Sequence, residues 1–213
     1  MIFQLDERII FPEPSLAEED GLLAIGGDLS KERLLLAYNN GIFPWYSDGE
    51  PVCWYAPHER FVLFPEKIKV SKSMQKIISM QTFEIKMNTA FEEVIENCST
   101  VFRKGQGGTW ITNEMKKAYL ILHNIGVAQS VEVWAQQKLV GGLYGLKINK
   151  VFCGESMFSK VSNASKAALV WLCQSKLFSL IDCQVYSSHL KSMGAEMISQ
   201  KEFLKILKEN RIG

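Results

Sequence analysis

The chain has 213 residues, of which 47% are hydrophobic and 22% charged, with a formal net charge of +1. That is enough for one sizeable core or two small ones, and it excludes a disordered protein. No apolar run approaches the roughly 20 residues of a membrane-spanning helix, and the first ten residues carry acids where a secretion signal carries positive charge, which points to the cytoplasm.

Residues 1–60 are broken by FPEPS, GGD, FPW, SDGEP and YAP, and read as turns around one short helix over residues 31–40. Ser30 caps that helix, Leu34, Leu35 and Tyr38 supply its apolar face, and Gly41 ends it where a left-handed residue is least costly. From Arg60 the pattern changes. RFVLF (60–64) and TFEIKMN (82–88) alternate as strands, and an amphipathic helix follows over residues 90–97. A boundary near residue 60 separates a small N-terminal domain, 1–60, from a larger one, 61–213. The charges divide there too, with four basic side chains against eleven acidic before the boundary and twenty against twelve after it. Such asymmetry suits a second part that faces a polyanion, because Lys and Arg gain by displacing counterions from phosphates.

Residues 107–110 open a loop into a helix over 113–124, capped by Thr112 or Asn113, with Met115, Ala118, Tyr119 and Leu122 on one face. VAQSVEVWA (127–135), QKLVGGLYGLKIN (137–149) and KVFCGES (150–156) are short strands joined by Gln-Gln and Asn-Lys turns, as in an antiparallel meander. A helix over 163–177, the strand LIDCQVY (180–186) and a helix over 202–210, preceded by the capping box Ser199-x-x-Glu202, complete an α+β pattern. The five cysteines (Cys53, Cys98, Cys153, Cys173 and Cys183) are scattered, with no CxxC pair and no histidine at ligand spacing, so neither a disulfide framework nor a zinc site follows.

Alternation along residues 181–185 puts Asp182 and Gln184 on one strand face and Cys183 and Val185 on the other, so the two polar side chains can act together. Burying Asp182 beside Ile181 without a partner would be expensive. Glu155, in CGES at a strand end among Cys153, Met157 and Phe158, is a second carboxylate for a site.

Seven segments in the same order closely resemble the leucyl/phenylalanyl-tRNA–protein transferase family over roughly residues 20–185: GLLAIGGDLS (21–30), GIFPWYS (41–47), GTWIT (108–112), LVGGLYG (139–145), FCGESMFS (152–159), NASKAAL (163–169) and IDCQV (181–185). The resemblance implies a small N-terminal domain and a C-terminal domain of the acetyltransferase-like (GNAT) fold. It implies an enzyme that takes leucine or phenylalanine, and less readily methionine, from aminoacyl-tRNA. The amino acid is attached to proteins beginning with Arg or Lys, which marks them for degradation, and no metal or bound cofactor is required.

The aminoacyl ester is already activated, so such an enzyme must deprotonate the acceptor amine, align it and stabilise the oxyanion, and positioning alone can supply up to roughly 7–11 kcal/mol. By similarity, Asp182 orients Gln184, whose side-chain carbonyl assists removal of the amine proton, and Glu155 anchors a free α-amino group of the aminoacyl moiety or of the acceptor. A neutral amide is a poor base in water, which leaves the identity of the base open. Leu143, Met157, Leu172 and Ile181 match the aminoacyl pocket. Trp45 and Trp110 match the aromatic pair that holds the 3′-terminal adenosine of tRNA, where stacking is worth roughly 1–3 kcal/mol per base. Contact with the acceptor stem falls to Lys69, Lys72, Lys76 and, beside them, Lys86. Two positions depart from the pattern: Leu143 replaces a methionine of the best-known members, which bears on the preference for Phe over Leu, and Ser187 stands where some members have Asn.

Two other functions stay open on the sequence. An acyl-CoA-dependent N-acetyltransferase would share the fold, and RKGQGG (103–108) is similar to a Gly-rich pyrophosphate loop, although GTWIT intervenes where such a loop should run directly into a helix. A non-catalytic tRNA-binding module would leave Asp182, Gln184 and Glu155 without a purpose.

Overall fold

A computed structural model describes residues 2–101 and 111–209 of the chain. The first part contains β1 (Phe3–Leu5), β2 (Leu22–Gly26), α1 (Lys31–Asn39), β3 (Phe43–Pro44) and β4 (Cys53–Tyr55). Helix α1 forms as the sequence predicts: Ser30 Oγ accepts from the Arg33 backbone N–H at 3.4 Å, and Gly41 beyond its end is left-handed at φ 71°. The segments read as turns also hold a sheet, in the order β1-β2-β4-β3. Its strands are only two to five residues long, too short for alternation to register. Trp54 anchors them, fully buried on β4 and donating Nε1–H to the Gly26 carbonyl at 2.9 Å.

The second part contains β5 (Glu59–Leu63), α2 (Lys72–Ser79), β6 (Glu84–Met87), α3 (Phe91–Thr100), α4 (Asn113–Asn124), β7 (Ala128–Ala135), β8 (Lys138–Ile148), β9 (Val151–Ser159), α5 (Ala164–Gln174), β10 (Leu180–Gln184), α6 (Ser188–Ser192), β11 (Glu196–Ser199) and α7 (Gln200–Glu209). Its strands form a mixed sheet in the order β11-β5-β10-β9-β8-β7-β6. Strands β7 to β9 are the expected antiparallel meander, turned by Gln136 and Gln137 (φ 48° and 62°) and by Asn149 (φ 57°), all left-handed, and β6 pairs antiparallel with β7 at its edge. Strand β10 then adds parallel to β9. A parallel neighbour requires a crossover, and α5 supplies it. The outcome is the α+β class read from the pattern.

Three elements go beyond the sequence expectations, each with little buried apolar surface to announce it. Helix α2 buries only Met74, α6 buries no residue, and β11 buries Ile198 alone. Helix α7 begins at Gln200, two residues before the expected start, and Ser199 Oγ accepts from the Glu202 backbone N–H at 3.2 Å. Helix α5 stops at Gln174 rather than residue 177, with Lys176 left-handed at φ 60°.

One apolar core runs through both parts, joining Leu34, Tyr38 and Trp54 to Tyr119, Tyr144, Phe158 and Phe203. A second lies under α5 on the opposite face of the large sheet and includes Phe152, Leu169, Leu172 and Ile181. All five cysteines are free thiols, and among the described residues no helix is long and apolar enough to cross a membrane.

The pairing of β8 with β9 shifts register between Tyr144 and Gly145, where a Cβ on Gly145 would overlap the Cys153 carbonyl oxygen and press on the Phe152 ring. Gly126 is left-handed at φ 78° but faces open space. Gly145→Ala is therefore expected to cost about 1–3 kcal/mol through overpacking, and Gly126→Ala about 1 kcal/mol through its backbone alone. Urea midpoints of the two variants check the ranking, and equal losses would contradict it.

Candidate active site

Pairing between β9 and β10 stops where Cys153 faces Asp182, although β9 runs on to Ser159. Strand β10 ends because Gln184 is left-handed at φ 63°, with a register shift between Asp182 and Gln184 against β5. That conformation is uncommon for a residue with a side chain. The two strands lose contact there, and a cavity of about 440 Å³ lies among β8, β9, β10, α5 and the β3 segment. Glu155, Asp182, Gln184, Trp45, Leu143, Met157, Leu172 and Ile181 all line it. The predicted separation of faces does not survive the bulge: Cys183 and Val185 line the same cavity as Asp182 and Gln184.

Glu155 sits in the middle of β9 rather than at a strand end, and is only 8% exposed. Tyr38 Oη donates to its Oε1 at 2.6 Å, Gln184 Nε2 to the same oxygen at 2.8 Å, and Tyr119 Oη to its Oε2 at 3.0 Å. The two tyrosine hydroxyls also lie within hydrogen-bond distance of each other, and with one proton apiece they make that bond only when the Glu155 carboxyl is protonated and donates in place of one of them. Burial pushes the Glu155 carboxyl up to about 7, against the three donors, which favour its charged form. Burial likewise holds both hydroxyls well above the usual tyrosine range, so they stay protonated. With its amide N–H committed to Glu155, Gln184 has its carbonyl oxygen to offer a ligand.

Asp182 is fully buried and meets an equally buried partner, Arg60. Arg60 Nε donates to Asp182 Oδ1 at 2.8 Å and Nη2 to Oδ2 at 2.7 Å, while Nη1 donates to the Gly41 carbonyl at 3.1 Å. The guanidinium lies between the rings of Phe43 and Phe203, 4.6 and 4.7 Å from their centroids. Burial alone would lower the Arg60 pKa, but the charge and hydrogen bonds of Asp182 outweigh it and raise the value. Asp182 Oδ1 also accepts from the Gln184 backbone N–H at 2.9 Å. The link from Asp182 to Gln184 thus runs to the main chain, not to the amide side chain.

Leu143, Met157, Leu172 and Ile181 come from β8, β9, α5 and β10 and form an apolar wall, with Leu172 belonging to both the α5 core and the cavity. Trp45 follows Pro44 of β3, is 37% exposed and lies 5.8 Å from the Tyr55 ring. Trp110 and the RKGQGG segment lie outside the described residues. Lys69, Lys72 and Lys76 are exposed, the latter two on α2, and none lines the cavity. Lys86 turns to Glu84 at 3.2 Å and lies over the Trp134 ring. Ser187 lines the cavity at the start of α6.

Tyr38, Tyr119 and Arg60 were not among the sequence candidates. The two tyrosines read as apolar-face residues of helices and Arg60 as the first residue of a strand. A signal was present in each case: a buried phenol needs a hydrogen-bond partner, and so does a cation in a strand bound for the interior.

The family model of the leucyl/phenylalanyl-tRNA protein transferase matches residues 62–208, and that of the N-terminal domain of these proteins matches residues 27–58. A leucyl/phenylalanyl-tRNA–protein transferase from Christiangramia forsetii is 57% identical over 203 residues, covering 92% of this chain and 95% of its own length. Its counterpart from Flavobacterium johnsoniae is 53% identical over 210 residues, covering 97% and 99%. Among solved structures, a GCN5-related N-acetyltransferase-like protein from Streptococcus suis aligns with 67% of this chain and 60% of its own at 12% identity and a TM-score of 0.35.

The Glu155 carboxyl rises from 4.5 to about 7 on folding. Its neutral form therefore stabilises the fold below about pH 4.5, and that contribution is lost as the pH climbs through about 7. Glu155→Gln removes the titration. The stability of this variant relative to the parent is expected to increase across that window by up to about 3 kcal/mol and then level off. Urea titrations at stepped pH check it, and a difference that is flat throughout would contradict the buried carboxyl.

Proposed function

Since the chain belongs to the leucyl/phenylalanyl-tRNA–protein transferase family, we propose that it moves leucine or phenylalanine, and less readily methionine, from aminoacyl-tRNA to the N-terminal Arg or Lys of acceptor proteins, marking them for degradation in the cytoplasm. The observation that carries this is a single cavity in which the wall of Leu143, Met157, Leu172 and Ile181 stands beside Glu155 and Gln184. The wall takes the side chain of the transferred amino acid. Its shape excludes β-branched competitors, for which one methyl is worth only about 1–3 kcal/mol. Trp45, with Trp110, stacks on the terminal adenosine, and Lys69, Lys72 and Lys76 carry phosphates of the acceptor stem. On a division at residue 60, the small N-terminal domain contributes Trp45 and the GNAT-like domain the remainder.

In the transfer step, Glu155 holds a free α-amino group and the Gln184 carbonyl accepts a hydrogen bond from the attacking amine of the acceptor. The amine nitrogen bonds to the ester carbonyl carbon, the bond from that carbon to the tRNA ribose oxygen breaks, and the amine proton ends on the released ribose hydroxyl. Asp182 contributes by fixing the Gln184 main chain. The ester supplies the driving force, so alignment is the main task of the site.

Labelled leucine or phenylalanine on charged tRNA is expected to appear on peptides beginning with Arg or Lys and not on one beginning with Ala. Absence of transfer to the basic peptides would overturn the proposal, and acetyl-CoA turnover without tRNA would replace it with N-acetyl transfer. Gln184→Ala is expected to slow transfer about 10- to 100-fold, near the low end for a positioned proton-transfer group, while filter retention shows tRNA still bound.

A further inference from the structure

We propose that Arg60 is a positioning residue for transfer, locking the bulge at Asp182 and Gln184 to residues 41–45 so that the two sides of the cavity hold one fixed relation. The proposal rests on the transfer reaction set out above. Arg60 is on β5 and only 2% exposed, so it meets substrate at no point and acts through its neighbours.

Its planar fork has two destinations. On one side, the bonds to both oxygens of Asp182 fix the plane of that carboxylate. The oxygen that accepts Arg60 Nε–H also accepts the backbone N–H of Gln184, the residue held at φ 63°. A left-handed backbone costs a residue with a side chain free energy, and this hydrogen bond offsets that cost at Gln184. The chain of contacts then continues from the Gln184 amide to Glu155. On the other side, Nη1 holds the Gly41 carbonyl, and the guanidinium lies on the ring of Phe43. Phe43 and Pro44 form β3, which leads to Trp45, whose backbone N–H is tied to the Cys53 carbonyl at 2.9 Å.

Both oxygens of Asp182 are engaged and its charge is matched by the guanidinium, so it serves as a strut and not as a base. A lysine at position 60 would keep the charge but not the fork. An ammonium on a flexible stem cannot hold two carboxylate oxygens and a carbonyl in one plane.

Four proteins test this: the parent, Arg60→Lys, Gln184→Ala and the double variant, each assayed for transfer after urea titration shows it folded at the assay temperature. Arg60→Lys is expected to lower kcat about 10- to 100-fold, as small misplacements do, and to raise KM for charged tRNA about fivefold as stacking at Trp45 loosens. In the Gln184→Ala background the same change should lower kcat by less than about threefold, because its target is already gone. Losses that multiply, or full-rate transfer by Arg60→Lys, overturn the inference while leaving the transfer reaction intact. An unchanged KM removes the link to residues 41–45. Gln184→Ala at full rate overturns the role given to Gln184 and the inference with it. Should Arg60→Lys not fold, Arg60→Met/Asp182→Leu removes both buried charges, a swap that commonly preserves stability. It is expected to fold and fail in transfer, and parental activity in it would sink the proposal.

Discussion

Two opposite charges removed from water, on Arg60 and Asp182, can share the interior only because each satisfies the other and further groups satisfy what remains of both. That requirement reaches well beyond the pair. It draws the Gly41 carbonyl, the rings of Phe43 and Phe203 and the backbone of Gln184 into one arrangement, so β5, β10, α7 and the N-terminal segment are held by a single planar group. Glu155 solves its own burial differently. Among the described residues no cation pairs with it, only two phenols and an amide, and burial therefore pushes its carboxyl up to about 7. Two carboxylates on neighbouring strands thus have distinct surroundings, one paired with a guanidinium and one held by neutral donors.

The apolar wall is an unfilled margin of the core and not a separate construction. Leu143, Leu172 and Ile181 belong to the cluster under α5 and are buried by it, yet each also faces the cavity. Selectivity and stability consequently draw on the same side chains. A change that widened the pocket would also remove packing from α5, which limits how freely the pocket can drift among related chains.

Much of the scaffold was legible in the residues. The meander, its Gln-Gln and Asn-Lys turns, α1 with its Ser30 cap and α4 with Thr112 all follow from local periodicity and capping, which are written in adjacent residues. The N-terminal sheet, α6 and β11 were not, because two- to five-residue elements with little buried surface leave no period to read. At the site, alternation brought Asp182 and Gln184 together for an insufficient reason: the left-handed turn at Gln184, not strand period, sets where the amide lies. Tyr38, Tyr119 and Arg60 signal by residue type a need for partners but not which ones, because those partners lie 117, 36 and 122 positions away. No local pattern encodes contacts of that span, and only the resemblance to a family gave the residues a reaction.

Those spans also bear on how the protein is made. Tyr38 emerges from the ribosome long before the Glu155 it serves, and Arg60 long before Asp182 and before Phe203 of α7 closes over its guanidinium. During synthesis the N-terminal third therefore carries a cation and a phenol whose destinations do not yet exist, and such long-range closure is slow. The cavity is thus assembled late, because its lining runs from Phe43 to Leu190 and the guanidinium that ties its two sides together is covered later still, by Phe203.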